Sequence, residues 1–373
     1  MISVGRAIAS CMLAALTSGC AAPYYWQAIG GQLELLRKRE PIVEVIADPA
    51  TDPKLRETLE RVAEIRRFAV DELGLPSNDS YTTYVELDRP YVVWNVVATE
   101  EFSVDPRRWC FPFAGCVAYR GYFDREAAER FAAKLAAKGF DTHSGGSTAY
   151  STLGYFADPV LSTMVAGGEQ YVASLIFHEL AHQRLYVKSD SEFSEAFAMV
   201  VEEVGTERWL AAHGTPEDLE RYRVRRKRRL EFGELIAAQQ RRLRALYASG
   251  ASPDELREGK KQAFDTLRRE YEALKASWGG SSEYDAWFAQ PLNNATLASV
   301  ATYTRWVPAL RARLEQVGLT AFYADAAAVA ELDAPLREER LRSWESGRTT
   351  SLSRSYPTAS ARAGCECPAE PRG

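Results

Sequence analysis

Residues 174–187 read SLIFHELAHQRLYV and hold two of the chain's four histidines. On a helix, positions four apart lie on one face, so His178 and His182 point the same way. Two imidazole nitrogens at that spacing can share one divalent ion at about 2.0–2.1 Å each. Glu179 lies about 100° around the helix from the first histidine. It cannot easily share the ligand position but can accept a hydrogen bond from a metal-bound water, the place of a general base in an H-E-x-x-H arrangement. Ile176, Phe177, Leu180 and Leu185 supply apolar flanks for a buried helix. With so few histidines, chance gives this pattern on the order of a few times in a thousand shuffled sequences. A buried metal-binding helix is therefore expected at the centre of the fold.

A catalytic zinc takes three protein ligands and keeps one open position. His143 and His213 are remote and have no supporting pattern. The acids just downstream are better placed: Asp190, Glu192, Glu195, Glu202 and Glu203. Ser189 to Glu192 fits a capping box, which gives Glu192 a structural role. Glu195 lies early on the next helical stretch, SEAFAMVVEEVG, and is taken as the third ligand. Glu202 is the alternative, and seven residues leave the two on nearly the same face.

Outward from this core, Tyr24–Arg39 reads as a helix stopped by Pro41, and Pro53–Leu73 carries a helical apolar stripe. Residues 81–98 read as two strands around Asp88-Arg-Pro90, and Asp124 as the cap of a helix to Lys138. STAYSTLGYF, residues 147–156, reads as an irregular strand. Long charged helix dominates from Pro216 to Trp278, followed by helical stretches at 293–316 and 322–344. Beyond Ser346 the composition turns to Ser, Thr, Pro, Gly and Arg, as in a disordered tail. The class expected is α+β, mainly helical. The division expected is a signal at 1–19, a helical segment at 20–80, a catalytic region at 81–215, a helical region at 216–345 and a tail at 346–373.

The chain has 373 residues, 46% of them hydrophobic, and a net charge of −5. That is ample for a sizeable core and gives no global basic field for nucleic acid. The basic run from Arg221 to Arg229 is interleaved with glutamates and is read as a solvated helix face. At the start, Arg6 precedes an apolar run ending at Leu16-Thr-Ser-Gly-Cys20, too short to span a bilayer. Ser18-Gly19-Cys20 resembles a bacterial lipobox, with Cys20 as the lipidated residue and the outer membrane, facing the periplasm, as the expected location. Cys110, Cys116, Cys365 and Cys367 then form an even set in an oxidising compartment, and Cys110 with Cys116 would close a small loop.

Ser194-Glu195-Ala196 resembles the Asn-Glu-Ala of thermolysin-like gluzincins, whose third ligand is that glutamate. More broadly, the chain resembles a proteobacterial family of predicted lipoprotein aminopeptidases. The resemblance rests on PYYWQAIGGQLELLRKREPI, VVWNVVA, WCFPFAGCVAYRGYF, AYSTLGYFADPVLSTM, FHELAHQRLYV, FSEAFAMVVEEVG and LNNATLASVATY. It implies a zincin-like core holding one Zn2+ on His178, His182 and Glu195, with Glu179 as base and a peptide as substrate. Within those blocks Tyr150, Tyr155 and Arg120 are candidates for contact with substrate or the transition state, although each tyrosine also reads as a core or strand residue. AYSTLG could serve as an edge strand for substrate backbone. Two other readings share the same residues: a lipid-anchored envelope binding or structural protein with a non-catalytic metal, and a zinc amidase of cell-wall peptides.

Overall fold

The computed structural model describes residues 22–111, 115–188, 190–301 and 305–347. The lipobox with Cys20, the tail cysteines Cys365 and Cys367, and the tail from 348 onward lie outside the described residues. The first part of the chain comprises α1 (Ala22–Arg37), β1 (Glu40–Pro41), α2 (Ile42–Ala47), α3 (Pro53–Asp71), β2 (Thr83–Val85) and β3 (Val93–Thr99). There follow β4 (Trp109–Phe111), β5 (Gly115–Val117), β6 (Arg120–Tyr122), α4 (Arg125–Ala136), β7 (Asp141–Ser147), β8 (Val160–Leu161) and α5 (Ser162–Val165). Two central helices, α6 (Glu169–Arg184) and α7 (Ser191–His213), lead into α8 (Pro216–Tyr247), α9 (Pro253–Ser277) and α10 (Asp285–Ala289). The last are α11 (Asn294–Ala301), α12 (Val307–Ala330) and α13 (Ala334–Glu345). The chain is mainly helical with short strands, the α+β class expected.

Local chemistry sets most boundaries. Asp52, Asp124 and Asp333 accept hydrogen bonds from the first helical N–H groups of α3, α4 and α13. The long charged stretch divides at Ser249–Ser252. There Ser252 and Glu255 form a capping box and Pro253 opens a new helix, repeating the Thr215-Asp218 box with Pro216 that opens α8. α12 is broken at Gly318, where φ is +75°.

The strands are short. β3 lies between β6 and β7 in an antiparallel sheet, covered by α4. β2 joins β1 antiparallel and β8 parallel, and β4–β5 is a hairpin tied across its register by the Cys110–Cys116 disulfide. Residues 148–159 are not a strand, contrary to the sequence reading of AYSTLG. Thr152 N–H, Thr152 Oγ1 and Ser151 Oγ all donate to the Asp158 carboxylate, which curls the segment into turns and removes an edge for substrate.

The main core lies around α6 and α7, with α3, α12 and α13 packed against them; Phe177, Phe197, Trp209 and Phe322 are wholly buried. A second apolar cluster, centred on Phe232, Leu243, Leu267 and Tyr271, joins α8, α9, α10 and α11. Among the described residues no helix is long and apolar enough to cross a membrane.

Ser174 meets Thr206, His178 meets Glu202 and His182 meets Glu195, so α6 and α7 run antiparallel. Gly205 permits their close approach. A Cβ there would fall 2.7 Å from Leu73 Cδ1 and 2.8 Å from Phe177 Cδ2. Overpacking a core contact typically costs about 1–3 kcal/mol. Gly205→Val is therefore expected to lower the urea midpoint of unfolding; a variant as stable as the parent would show that this contact is not tight.

Candidate metal centre

α6 is buried nearly all round, with Val172, Ala173, Ile176, Phe177, Leu180 and Ala181 fully enclosed, so its two histidines have little freedom. The short connection to α7 is fixed by Ser194. Its Oγ accepts from Val187 N–H at 2.9 Å and donates to the Asp190 carbonyl at 2.9 Å. Asp190 caps α7 by accepting from Phe193 N–H. Glu192 pairs with Arg305 at 3.2 Å, and Ser189, the expected cap, lies outside the described residues.

Three donor atoms converge between the helices. His178 Nε2 and His182 Nε2 are 3.1 Å apart, and Glu195 Oε2 is 3.3 Å from the first and 3.5 Å from the second. Ligands at zinc-like bond lengths on tetrahedral corners stand about 3.3 Å apart. The three separations thus match one face of such a tetrahedron. Three atoms rich in lone pairs, held this close in a largely buried site, can hold a metal ion. Burial pushes the Glu195 carboxyl up, but the charge of His182 and the hydrogen bonds of both histidines hold it well below the usual range. Burial disfavours the charged form of His178, yet its bonds to Glu195 and Glu202 carry its pKa well above normal.

A family model described as putative aminopeptidase matches residues 23–341. The chain belongs to that family. No curated protein and no solved structure matches it.

In this aminopeptidase-family chain, Glu202 lies behind His178, on the side away from the convergent atoms. Its Oε2 is 3.1 Å from His178 Nδ1, and its Oε1 accepts from Arg229 Nη1 at 3.2 Å. A carboxylate on that nitrogen fixes the ring's tautomer and turns Nε2 toward the centre. Arg229 also donates to the fully buried Glu203 at 2.9 Å, which accepts from Arg311 of α12 at 2.6 Å. Arg226 reaches both Glu203 and Glu207. Three carboxylates (Glu202, Glu203, Glu207) thus meet three guanidinium groups (Arg226, Arg229, Arg311), and each buried charge is compensated. The run read as a solvated face is, at these positions, an internal support. Alternating acids and bases do not reveal which way a helix turns, and that is why sequence patterning missed it. His182 Nδ1, by contrast, is buried with no hydrogen-bond partner among the described residues.

The other histidines are elsewhere. His143 sits on β7 opposite Val97, where burial lowers its pKa, and His213 stacks on Trp209 with ring centroids 3.9 Å apart. Of the three side chains nominated around the site, Arg120 is turned away, its guanidinium 3.9 Å over the Tyr24 ring and 4.6 Å from that of Phe131. Tyr155 is exposed and accepts from Lys188 at 3.1 Å. Tyr150 packs edge-on against Phe123. Tyr119, the residue before Arg120, is 39% exposed as a whole, but its hydroxyl is enclosed near Glu195 and Glu179. Burial raises its hydroxyl pKa, as do the charges of Glu195, Tyr186 and Glu179. Tyr186 sits edge-on to His182, centroids 5.8 Å apart. These two tyrosines carry no local motif that would mark them in the sequence.

Half-buried Glu179 acts electrostatically on the hydroxyls of Tyr81 and Tyr119 and on Asp158. Asp158 is 2% exposed, and burial, aided by Glu179, pushes its pKa up to about 6 against the donors of Thr152 and Ser151. A carboxyl raised in the folded state stabilises fully below its unfolded pKa, and that contribution is lost as pH rises through about 6. The unfolding free energy of wild type relative to Asp158→Asn should therefore fall by about 3 kcal/mol from about pH 3 to about pH 7. A difference independent of pH would contradict this.

The support behind His178 has its own test. Loss of such a partner typically costs about 10–100-fold in metal affinity. Glu202→Gln should weaken binding of a Co2+ probe by that order in chelator competition, and Arg229→Met should do so less. Unchanged affinity in both variants would make the chain of contacts purely structural.

Proposed function

We propose that the protein is a zinc-dependent peptidase, acting as an aminopeptidase, with a zincin-like core built on α6 and α7. The observation that carries this reading is the meeting of His178 Nε2, His182 Nε2 and Glu195 Oε2 within 4.8 Å of one another, with Glu179 next to the first ligand. A structural zinc site normally closes with four protein ligands. The group formed among the described residues has three, which suits a site that keeps a position for water and substrate. Family membership supports peptide hydrolysis as the reaction class.

Bound there, Zn2+ would supply Lewis acidity to a water and to the scissile carbonyl. Glu179 Oε takes the proton of the attacking water and passes it to the leaving amine. Glu202 keeps His178 Nδ1 protonated and the ring aligned. Tyr186, edge-on to His182, and Tyr119, whose hydroxyl lies in the field of Glu195 and Glu179, are the hydroxyl donors assigned to stabilise developing negative charge on the carbonyl oxygen. They replace Arg120 and Tyr155 in that role. The substrate is a peptide in the periplasm, and the protein is held to the outer membrane through lipid on Cys20.

The test is Glu179→Gln, compared with wild type for zinc content and for turnover of a peptide library. Zinc should be retained while turnover falls by about 100- to 10,000-fold, the scale of general-base contributions. Equal turnover would sink the mechanism. Products shortened by single N-terminal residues establish the exo-acting mode; internal cuts, or cleavage of cell-wall cross-link peptides alone, replace it with an endopeptidase or an amidase.

A further inference from the structure

The first helix carries apolar residues on both sides, and only one side is used by the fold. α1 has no charged residue before Glu34. Its inner side is pinned. Tyr24 stacks with Phe111 and meets Tyr122 edge-on, while Gln27 accepts from Phe123 N–H at 3.0 Å and donates to the Gly121 carbonyl. A Cβ on Gly31 would lie 2.1 Å from the Phe123 ring, and Leu35 is 2% exposed. These contacts fix the helix's rotation.

That rotation leaves a second apolar face to solvent. Tyr25, Ile29 and Leu33 recur every four residues, and Trp26 stands beside them. Trp26 is 79% exposed, Ile29 54%, Leu33 42% and Tyr25 40%. A surface helix normally turns charged and polar residues outward. Here the outward face has none over three turns, and Glu34, the first charge, is held by Arg89 and Lys38.

We propose that this face lies in the headgroup region of a lipid bilayer and seats the domain on the membrane. The occupant follows from sequence and position together. Cys20, the lipobox residue, precedes Ala22 by two residues, so an acyl anchor there keeps the start of the helix within about 7 Å of its attachment point. Tryptophan and tyrosine favour the membrane–water boundary, and a helix with one apolar face lies in the plane of that boundary. The inference rests on the lipid-anchor reading of Cys20 and is independent of the peptidase reading.

The experiment uses the full-length gene product processed in a Gram-negative host and reconstituted in phosphatidylethanolamine–phosphatidylglycerol vesicles with brominated acyl chains. Bromine quenches tryptophans that enter the bilayer. Wild type should show lipid-dependent quenching, and Trp26→Phe should lose most of it with unchanged circular dichroism. Glu179→Gln should be quenched like wild type, which separates this result from failure of the proposed chemistry. Equal quenching in wild type and Trp26→Phe, or none in either, overturns the proposal. So does a Cys20 that mass spectrometry finds unlipidated. Disulfide cross-linking between copies through Trp26→Cys, without quenching of wild type, would assign the face to a second copy of the chain instead.

Discussion

Gly205 lets α7 approach the Phe177 side of α6, and the register fixed by that approach determines what every polar group between the two helices can touch. With the pair antiparallel, the ligands near the connection face one another, the support for His178 lies seven residues further along α7, and the Ser174–Thr206 contact follows. A shift of one residue would turn Glu195 about 100° away and leave two histidines facing apolar surface. The apolar core is thus not a background to the site. It selects the register, and the register makes the three donor atoms meet.

Ion pairing then completes what apolar packing begins. Glu203 is wholly buried, and a carboxylate in that position is tolerable only because three guanidinium groups come to it from α8 and α12. These long helices form a clamp around the back of α7 and are more than a charged appendage. Through Arg229 the clamp reaches Glu202, and through Glu202 it reaches the ring of His178.

Much of this was legible in the sequence. The spacing of His178, Glu179 and His182 is local, and local helical geometry converts it directly into a shared face. Glu195 followed from its place early on the next helix. Separating it from Glu202 required the actual register, because both point to the same side. Most of the basic run faces solvent as expected, but Arg226 and Arg229 do not, and salt-bridge alternation looks the same whether a helix faces water or a buried carboxylate. AYSTLG was misread because β propensity ignores a buried aspartate, Asp158, whose carboxylate gathers the donors of Ser151 and Thr152. Tyr119 and Tyr186 reach the neighbourhood of the site through tertiary packing, which no local pattern in the sequence states.

The Glu–Arg cluster also shapes how this sequence can change. Its charges cancel as a group, so removing an arginine that meets the fully buried Glu203 leaves that carboxylate under-compensated. Acceptable variation there comes in paired steps, and intermediates with one replacement are penalised. Residues on three separate helices, more than a hundred positions apart in the chain, are consequently bound to one evolutionary schedule with the histidine they support. The exposed outer face of α8 carries no such obligation and is free to drift.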